Sequence, residues 1–419
     1  MLLTGTETGG LYDVPAAAGG TSVRMSSVPH IPDSERRARL ARRHALAPSA
    51  RAADPGAAVR ALTVLHATEP ATVYLSLWAR VRDLAVADVD RALYDDRTLV
   101  KQLAMRGTLF VFPRDLLPAA WGSASARVAS MLRTRLAKEA IQHGLADDGE
   151  AWLDLAMRAT AARLAGGEEV SATRLREEVP ELAGHLEVSP DKKYGGRFPV
   201  APRVLAQLAV EARIVRGHNA GHWRTARPLW TSMSTWLGET PAALPEREGY
   251  AELVRRWLYT FGPGTADDLQ WWLGSTKTAA RAALVDVGAV EVSLDGGATG
   301  WVLPDDLDET AASEPWVALL PVLDATVMGW KNRDFYLGEH GPAIFDRNGN
   351  AGSTAWVDGR IAGCWVQDEA GVVRVHLLEA VSAEHRAALD AEADRLTTWL
   401  GGDRVSTVYA SAAMKEAAR

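Results

Sequence analysis

The pattern of apolar residues predicts an order of elements that recurs along the chain. Amphipathic helices, in which apolar residues repeat about every 3.6 positions, are followed by two short strands joined by a tight turn. In the clearest copy, the spacing predicts helices over residues 152–164, 172–178 and 202–212. Strands are predicted over 213–216 and 222–225, on either side of a turn that contains two glycines. Helices followed at once by such a hairpin are typical of a winged helix-turn-helix unit.

The same order is predicted twice more. The copy at about residues 250–304 has a predicted helix over 276–285 and predicted strands over 289–294 and 299–303. Its hairpin carries Glu291 and Asp295 and no lysine or arginine, so we expect it to be structural rather than to contact phosphate. The earliest copy spans about 34–113, with predicted helices at 55–65, 72–81, 86–93 and 98–105 and a strand at 108–112.

Beyond residue 313 the pattern changes to short β runs separated by turns, which predicts a small β-barrel. The predicted strands lie at 316–322, 326–330, 353–357, 360–366 and 372–378, followed by a helix at 385–400 and a last strand at 404–409. The irregular polar segment 331–350 interrupts this region. Loops of that length are often functional, so the segment is a second candidate site.

The predicted fold class is therefore α+β, with three tandem winged helix-turn-helix units followed by a small C-terminal β-barrel domain. The predicted boundaries are a disordered extension at 1–32, winged helices at 33–145, 146–245 and 246–310, and the barrel domain at 311–419. The extension is rich in Gly, Thr, Ser and Pro and has no secretory pattern. Met1 and Met25 both remain possible starts of the protein.

Composition places the protein among soluble globular chains. Its 419 residues are 47% hydrophobic, and no apolar stretch reaches the roughly 18 residues that a membrane-spanning helix needs. The single cysteine, Cys364, excludes an internal disulfide and a thiolate zinc cluster. We therefore expect a cytoplasmic, nucleoid-associated protein.

Charge is distributed unevenly along the chain, although the formal net charge is −7. Residues 101–138 and 191–227 are strongly basic, and such windows are candidate phosphate contacts. The predicted DNA-binding residues are Lys101, Arg106, Lys192, Lys193, Arg197, Arg203, Arg213, Arg216, His218, His222 and Arg224, together with Lys331 and Arg333 in the polar segment. The alternative is that these windows are solvated helix faces, with Arg106 in an internal salt bridge.

Four short sequences resemble a known family. They are Leu-His-Ala-Thr-Glu-Pro at 65–70, Tyr-Leu-Ser-Leu-Trp-Ala-Arg at 74–80, Met-Arg-Gly-Thr-Leu at 105–109, and Val-Asp-Gly-Arg-Ile-Ala-Gly-Cys-Trp at 357–365. The chain resembles the AlkZ/YcaQ-like bacterial winged-helix DNA glycosylases over roughly residues 34–410. The resemblance implies a C-shaped protein that releases bulky N7-alkylated purines and, in some members, unhooks interstrand crosslinks.

The sequence departs from this family at the catalytic motif. Characterised members carry Gln-x-Gln or Gln-x-Asp, and this chain has His66 and Thr68 at the two Gln positions. An N7-alkylated base is already cationic and leaves without protonation, so the enzyme must only aim a water and stabilise an oxocarbenium-like sugar. In this hypothesis neutral His66 accepts the proton of the water, Thr68 hydrogen-bonds the water, and Glu69 supplies negative charge.

One alternative stays open. In it, His66 and Thr68 only end a helix before Pro70, and the protein is a non-catalytic winged-helix DNA-binding or regulatory protein. For either function the expected partner is double-stranded, damaged DNA, and the expected state is a monomer. No membrane partner, cofactor or metal is expected, and the loop at 192–197 lacks the Gly-Lys-Ser/Thr ending of a nucleotide site.

Overall fold

The computed structural model describes residues 28–188, 195–239 and 241–419, so most of the predicted 1–32 extension lies outside it. Its helices are α1 Asp33–Arg43, α2 Pro55–Ala61, α3 Pro70–Trp78, α4 Val86–Asp90, α5 Leu117–Ala120, α6 Ala126–Gln142, α7 Gly149–Leu164, α8 Ala172–Glu178, α9 Ala201–Val210, α10 Met233–Leu237, α11 Glu246–Phe261, α12 Ala266–Leu273, α13 Lys277–Asp286, α14 Asp334–Leu337, α15 Gly341–Ile344, α16 Ala383–Leu400 and α17 Ala412–Ala417.

The strands are mostly short and belong to several small sheets. They are β1 His30–Ile31, β2 Leu65–His66, β3 Leu99–Leu103, β4 Leu109–Pro113, β5 Val170–Ser171, β6 His185–Val188, β7 Gly196–Pro199, β8 Ile214–Asn219, β9 Pro228–Ser232, β10 Val290–Leu294, β11 Thr299–Val302, β12 Val317–Leu320, β13 Thr354–Val357, β14 Arg360–Gln367 and β15 Val373–Leu377.

One order of elements occurs three times: a helix, a short extended segment, two helices and two longer strands. The first copy ends in the sheet β2-β4-β3, and the second ends in the sheet β5-β9-β8. In the third copy Gly264 bridges to Trp301 of β11, at the place where the other copies have their short strand. In this copy β10 also pairs with β1, at the start of the described chain, so β1 belongs to the third copy. We call the three copies the first, second and third units.

Strand β3, at 99–103, lies where the sequence predicts a helix over 98–105. β3 pairs antiparallel with β4 along its whole length, and the turn between them places Arg106 and Gly107 at φ values of 58° and 70°. Two successive left-handed residues reverse the chain with the twist that hairpin strands need. The backbone hydrogen bonds of this segment are therefore satisfied across the hairpin, and its helical periodicity was misleading.

The hairpin of the second copy is longer than predicted, because its second strand is β9 at 228–232 and not residues 222–225. The side chain of Asn219 organises the intervening loop. Its Nδ2 donates to three loop carbonyls, including that of Thr225 at 2.9 Å, and its Oδ1 accepts from the N–H of Arg227 at 2.8 Å. These bonds replace the strand pairing that the sequence predicted.

The predicted barrel is an open sheet. In the described residues, β12, β13, β14 and β15 pair in that order as an antiparallel sheet, and α16 packs against its two edge strands. Residues 326–330 and 404–409, both predicted as strands, adopt turns and irregular structure. Among the helices that the structure describes, none is long and apolar enough to cross a membrane.

A fully buried ion pair joins the first unit to the C-terminal region. Arg80, which follows α3, donates to both oxygens of Asp324 at 2.7 and 2.9 Å. The carboxylate also accepts from the Ser76 hydroxyl at 2.6 Å and from the backbone N–H of Thr326 at 2.9 Å. Burial raises the pKa of Asp324, but the charge of Arg80 and these hydrogen bonds outweigh it, so the pKa lies below its ordinary value.

His44 extends this network to the third unit. Its Nδ1 lies 2.8 Å from the hydroxyl of Thr326, and its Nε2 lies 3.2 Å from the carbonyl oxygen of Thr260 in α11. Burial, reinforced by the charge of Arg80, lowers the pKa of His44 to about 3, so the ring is neutral. The first unit, the third unit and the C-terminal region therefore share one hydrogen-bonded core.

Replacement of Asp324 should destabilise the protein strongly. In Asp324→Ala the guanidinium of Arg80 stays buried without its counter-ion, which costs about 3–5 kcal/mol. Chemical denaturation followed by circular dichroism measures this loss. The control is Asp390→Ala, which removes an exposed pair with Arg386 and should cost no more than about 0.5 kcal/mol. Equal losses in the two variants would contradict the assigned role of the buried pair.

Candidate active site

A cavity of about 470 Å³ lies where the β2-β4-β3 sheet meets the end of α12 and the C-terminal region. Its size falls within the range of roughly 300–1,000 Å³ that is usual for ligand sites. The lining residues are His66, Thr68, Leu103, Arg106, Gly107, Thr108, Leu109, Arg216, Trp271, Met328, Asn348, Gly349, Asn350 and Tyr409. Among the residues that the structure describes, this lining includes two arginines and no carboxylate.

His66 is fixed in this cavity by the sheet. It ends β2 opposite Phe110 of β4, whose ring packs edge-on against the imidazole at a centroid distance of 5.2 Å. The next residue, Ala67, continues the pairing by donating its N–H to the carbonyl of Leu109 at 2.9 Å. His66 therefore lies at a strand end, not at the end of a helix as in the alternative interpretation of the motif.

In the described residues, the imidazole of His66 is neutral and makes no hydrogen bond to another residue. Burial, together with the charge of Arg106, lowers its pKa to about 3. Its Nδ1 is buried without a hydrogen-bond partner, and neither ring nitrogen bonds to another residue in the described part of the chain. Thr68, two residues on, lines the same cavity and is exposed. The two residues at the variant motif thus offer polar groups to the same space.

Arg106 is held against the wall of the cavity by the third unit. Its guanidinium donates to the carbonyls of Trp271 and Trp272 at 3.1 and 2.9 Å, and it stacks over the Trp271 ring at 4.3 Å. Burial, with the charge of Arg333, lowers the pKa of Arg106 to about 10, which leaves the group charged at neutral pH. Carbonyl oxygens and a π face orient this cation without neutralising it.

Arg216 and Arg333 add positive charge from other elements. Arg216, on β8, stacks over Trp230 at 5.2 Å and lines the cavity. Arg333 stacks over Phe345 at 4.3 Å and over Trp271 at 5.0 Å, so Trp271 contacts two guanidinium groups. The structure thus brings predicted phosphate-binding residues from three distant parts of the sequence to the site that contains His66.

Glu69 does not point into this cavity. It lines the adjacent apolar cavity of about 330 Å³, where its Oε1 accepts from the hydroxyl of Thr407 at 2.8 Å and from the N–H of Val408 at 3.1 Å. Burial raises the pKa of the carboxyl group, although these two hydrogen bonds lower it in part. The carboxylate therefore holds the segment that follows α16 and lies apart from the His66 ring.

Most of the other predicted DNA-binding residues have protein partners. Arg203 pairs with Glu139, His218 with Glu169 at 2.6 Å, His222 and Arg224 with Asp403 at 3.3 Å, and Lys331 with Asp267 at 3.8 Å, whereas Arg197 and Arg213 are exposed. Lys192 and Lys193 lie outside the described residues. A phosphate contact by any of the paired cations would have to compete with its carboxylate.

Lys101 is placed differently from the exposed cation that the sequence predicted. Its Nζ donates to the hydroxyl of Tyr94 at 2.7 Å beneath the hairpin of the second unit. Burial, with the nearby charge of Arg216, lowers the pKa of Lys101 to about 8. The difference follows from the backbone: these residues form β3, whose register turns the side chain inward, and not the predicted helix.

Sequence reasoning missed the aromatic walls of the cavity. Trp271 and Tyr409 lie about 200 and 340 residues after His66, and no local pattern links them to it. Asn348 and Asn350 belong to the segment 331–350, which is a candidate site because of its polar residues and its length. Only the packing of the third unit and the C-terminal region against the first unit brings them together.

Comparison with known proteins identifies the family. A family model described as DNA glycosylase AlkZ-like matches residues 59–399. The structure of Streptomyces sahachiroi DNA glycosylase AlkZ superposes with a TM-score of 0.67 and covers 89% of this chain and 97% of that chain, at 19% sequence identity. No curated protein sequence matches the chain. Because the family model spans most of its length, the chain belongs to the AlkZ-like DNA glycosylase family.

Proposed function

We propose that this protein is a monofunctional DNA glycosylase that hydrolyses the N-glycosidic bond of bulky N7-alkylated purines in double-stranded DNA. The observation that carries the proposal is the neutral, unpartnered His66 in a cavity whose charged lining residues are Arg106 and Arg216. A polar cavity with uncompensated positive charge suits a nucleotide between two phosphates. The same chemistry needs neither a cofactor nor a metal.

His66 orients the attacking water. The N7-alkylated purine already carries a positive charge, so it leaves as a neutral base when the bond to C1′ breaks. A water held by a ring nitrogen of His66 and by the Thr68 hydroxyl then adds to C1′ of the sugar cation. A pKa of about 3 makes His66 a weak base, so its main role is to position the water, and it takes the proton only after the new C–O bond has formed.

The DNA itself supplies the negative charge that the sugar cation requires. Glu69 faces the adjacent cavity, and the lining as the structure describes it includes no carboxylate. The carboxylate of Asp346 lies next to the lining but is engaged by Asn350, whose Nδ2 donates to it at 2.9 Å. Phosphates on either side of the bound nucleotide are therefore the anions that this proposal places beside the sugar. Arg106 and Arg216 hold these phosphates beside the sugar. In this proposal the DNA phosphates stabilise the positive charge of the sugar, which is the role that the sequence analysis predicted for Glu69.

The repeated units and the C-terminal sheet serve as the DNA-binding scaffold in this proposal. We assign the units at 33–145, 146–245 and 246–310 as winged helices, each with a three-helix core and a hairpin, and residues 311–419 as the C-terminal domain. The support is their shared order of elements and the pairing of each short segment with the last strand of its unit. The proposed active site is formed mainly by the first unit and the C-terminal domain, and the second and third units contribute Arg216 and Trp271 to its wall.

Removal of the His66 side chain should abolish most base release and leave DNA binding intact. His66→Ala should slow the single-turnover release of N7-alkylguanine from a duplex by about 10²–10⁴-fold, measured as abasic sites. His143→Ala, which changes a histidine outside the cavity, is the control. A wild-type protein that binds the duplex but releases no base, while the His66→Gln, Thr68→Gln double variant does, would reject the enzyme and support a non-catalytic scaffold.

The pH dependence of base release tests the state of His66. Because its pKa is about 3, the ring stays neutral from pH 8 to pH 5, and the enzyme-dependent rate should be level over this range. The rate is measured under single turnover, and spontaneous depurination of the same duplex is subtracted. A loss of rate centred near pH 6.5, the ordinary pKa of histidine, would show that His66 titrates freely and would contradict the buried site.

The two cavity arginines should account for part of the salt dependence of binding. Arg106→Gln and Arg216→Gln should each weaken duplex binding and reduce the slope of log affinity against log salt by about one. Fluorescence anisotropy at several salt concentrations gives both quantities. Arg174→Gln removes an exposed arginine that already pairs with Glu168 and Glu178, and serves as the control. A slope unchanged in both cavity variants would show that neither arginine contacts phosphate.

A further inference from the structure

The segment 403–411, which we call the strap, crosses from the second unit to the active site. It joins α16 to α17 without helix or strand, yet side chains hold it along its length. At its start, Asp403 accepts a hydrogen bond from Trp223 Nε1 at 3.0 Å. Gln367 then donates to the carbonyl of Asp403 and accepts from the N–H of Val405, both at 2.9 Å.

The middle of the strap is fixed by a single carboxylate. Glu69 Oε1 accepts from the hydroxyl of Thr407 and from the N–H of Val408, and the same hydroxyl oxygen of Thr407 accepts from the N–H of Tyr409 at 2.9 Å. Tyr409 lines the cavity beside His66. The position of Val408 is therefore set by Glu69 on one side and by the cavity wall on the other.

Val408 is exposed although its backbone is held. Its side chain is 87% exposed, more than that of Val285 on α13, at 76%. Single exposed apolar residues are common on protein surfaces and need no explanation by themselves. Two features distinguish Val408 from such residues. It is adjacent in sequence to Tyr409, which lines the cavity, and its backbone N–H is held by the half-buried carboxylate of Glu69. The strap gains no packing from this side chain.

A nucleotide reaches His66 only by leaving the base stack, because His66 is buried in the cavity and an enzyme that acts at a buried group must take the nucleotide out of the duplex. The space that it vacates in the duplex is apolar and flat on both sides. Proteins that distort DNA fill such a space with an aliphatic wedge, which offsets part of the unstacking cost of a few kcal/mol. A short, stiff, β-branched side chain on an ordered backbone is suited to this task.

We propose that Val408 is a wedge that inserts into the base stack of the duplex when the substrate nucleotide enters the cavity, and that Glu69 is the positioning residue that holds it. This inference rests on the proposed function. It assigns a role to Glu69, which lies directly after the water-binding pair His66 and Thr68 but faces away from them. The cavity and the wedge would then be aligned by adjacent residues of one turn.

The test measures unstacking separately from base release. A duplex carries 2-aminopurine next to an N7-alkylguanine, and the fluorescence of 2-aminopurine rises when it loses a stacking neighbour. Wild-type protein should raise this signal. Val408→Ser should reduce the rise and slow single-turnover base release by about tenfold, as expected from the loss of an aliphatic contact, whereas Val408→Leu should retain both. Val285→Ser is the matched control on another highly exposed valine, which lies outside the strap.

Glu69 variants test the positioning role. Glu69→Ala should reproduce the loss of fluorescence seen in Val408→Ser, and Glu69→Gln should restore it, because the amide oxygen can accept the same two hydrogen bonds. A fluorescence rise in Val408→Ser equal to that of the wild type, or no rise in the wild type, would overturn the wedge. A rise that depends on Val408 without any base release would instead overturn the proposed function and leave the wedge standing.

Discussion

The buried pair of Arg80 and Asp324 is the interaction on which the rest of the site depends. Two ionised groups removed from water are tolerated only when every lone pair and proton is used, and here Ser76, Thr326 and His44 complete the set. The pair clamps α3 to the turn that follows β12. Because α3 begins at the residue after Glu69, the same clamp sets the distance between His66 and the C-terminal walls of the cavity.

In the proposed function, the buried position of His66 accounts for base release with a changed motif. A water needs a hydrogen-bond acceptor in a fixed place, and a histidine whose pKa is depressed to about 3 by burial supplies a neutral one, as an amide oxygen would. Burial, reinforced by the charge of Arg106, keeps His66 neutral. In the proposed function the same arginine also attracts the DNA phosphates.

The sequence predicted best those elements that local chemistry determines. The helix α13 and the strands β10 and β11 lie within two residues of their predicted bounds, since a threonine cap and a glycine turn delimit them. The prediction was wrong for residues 98–105 and 404–409 and for the closed barrel. The first segment pairs with β4 in a hairpin whose left-handed turn at Arg106 and Gly107 the helical pattern does not reveal. The second segment is held by Glu69, which is more than 300 residues away in sequence.

In the candidate site, too, local sequence signals predict single residues but not their arrangement. His66, Thr68, Arg106 and Arg216 were found individually, from a motif or from charge, but their proximity and the aromatic walls depend on tertiary packing. A crystal structure of the protein with a duplex carrying a cationic azasugar nucleotide tests the central claim most directly. The account predicts the azasugar in the cavity, with one water between the His66 ring and the atom that corresponds to C1′. An azasugar bound on another face, with the cavity empty, would contradict it.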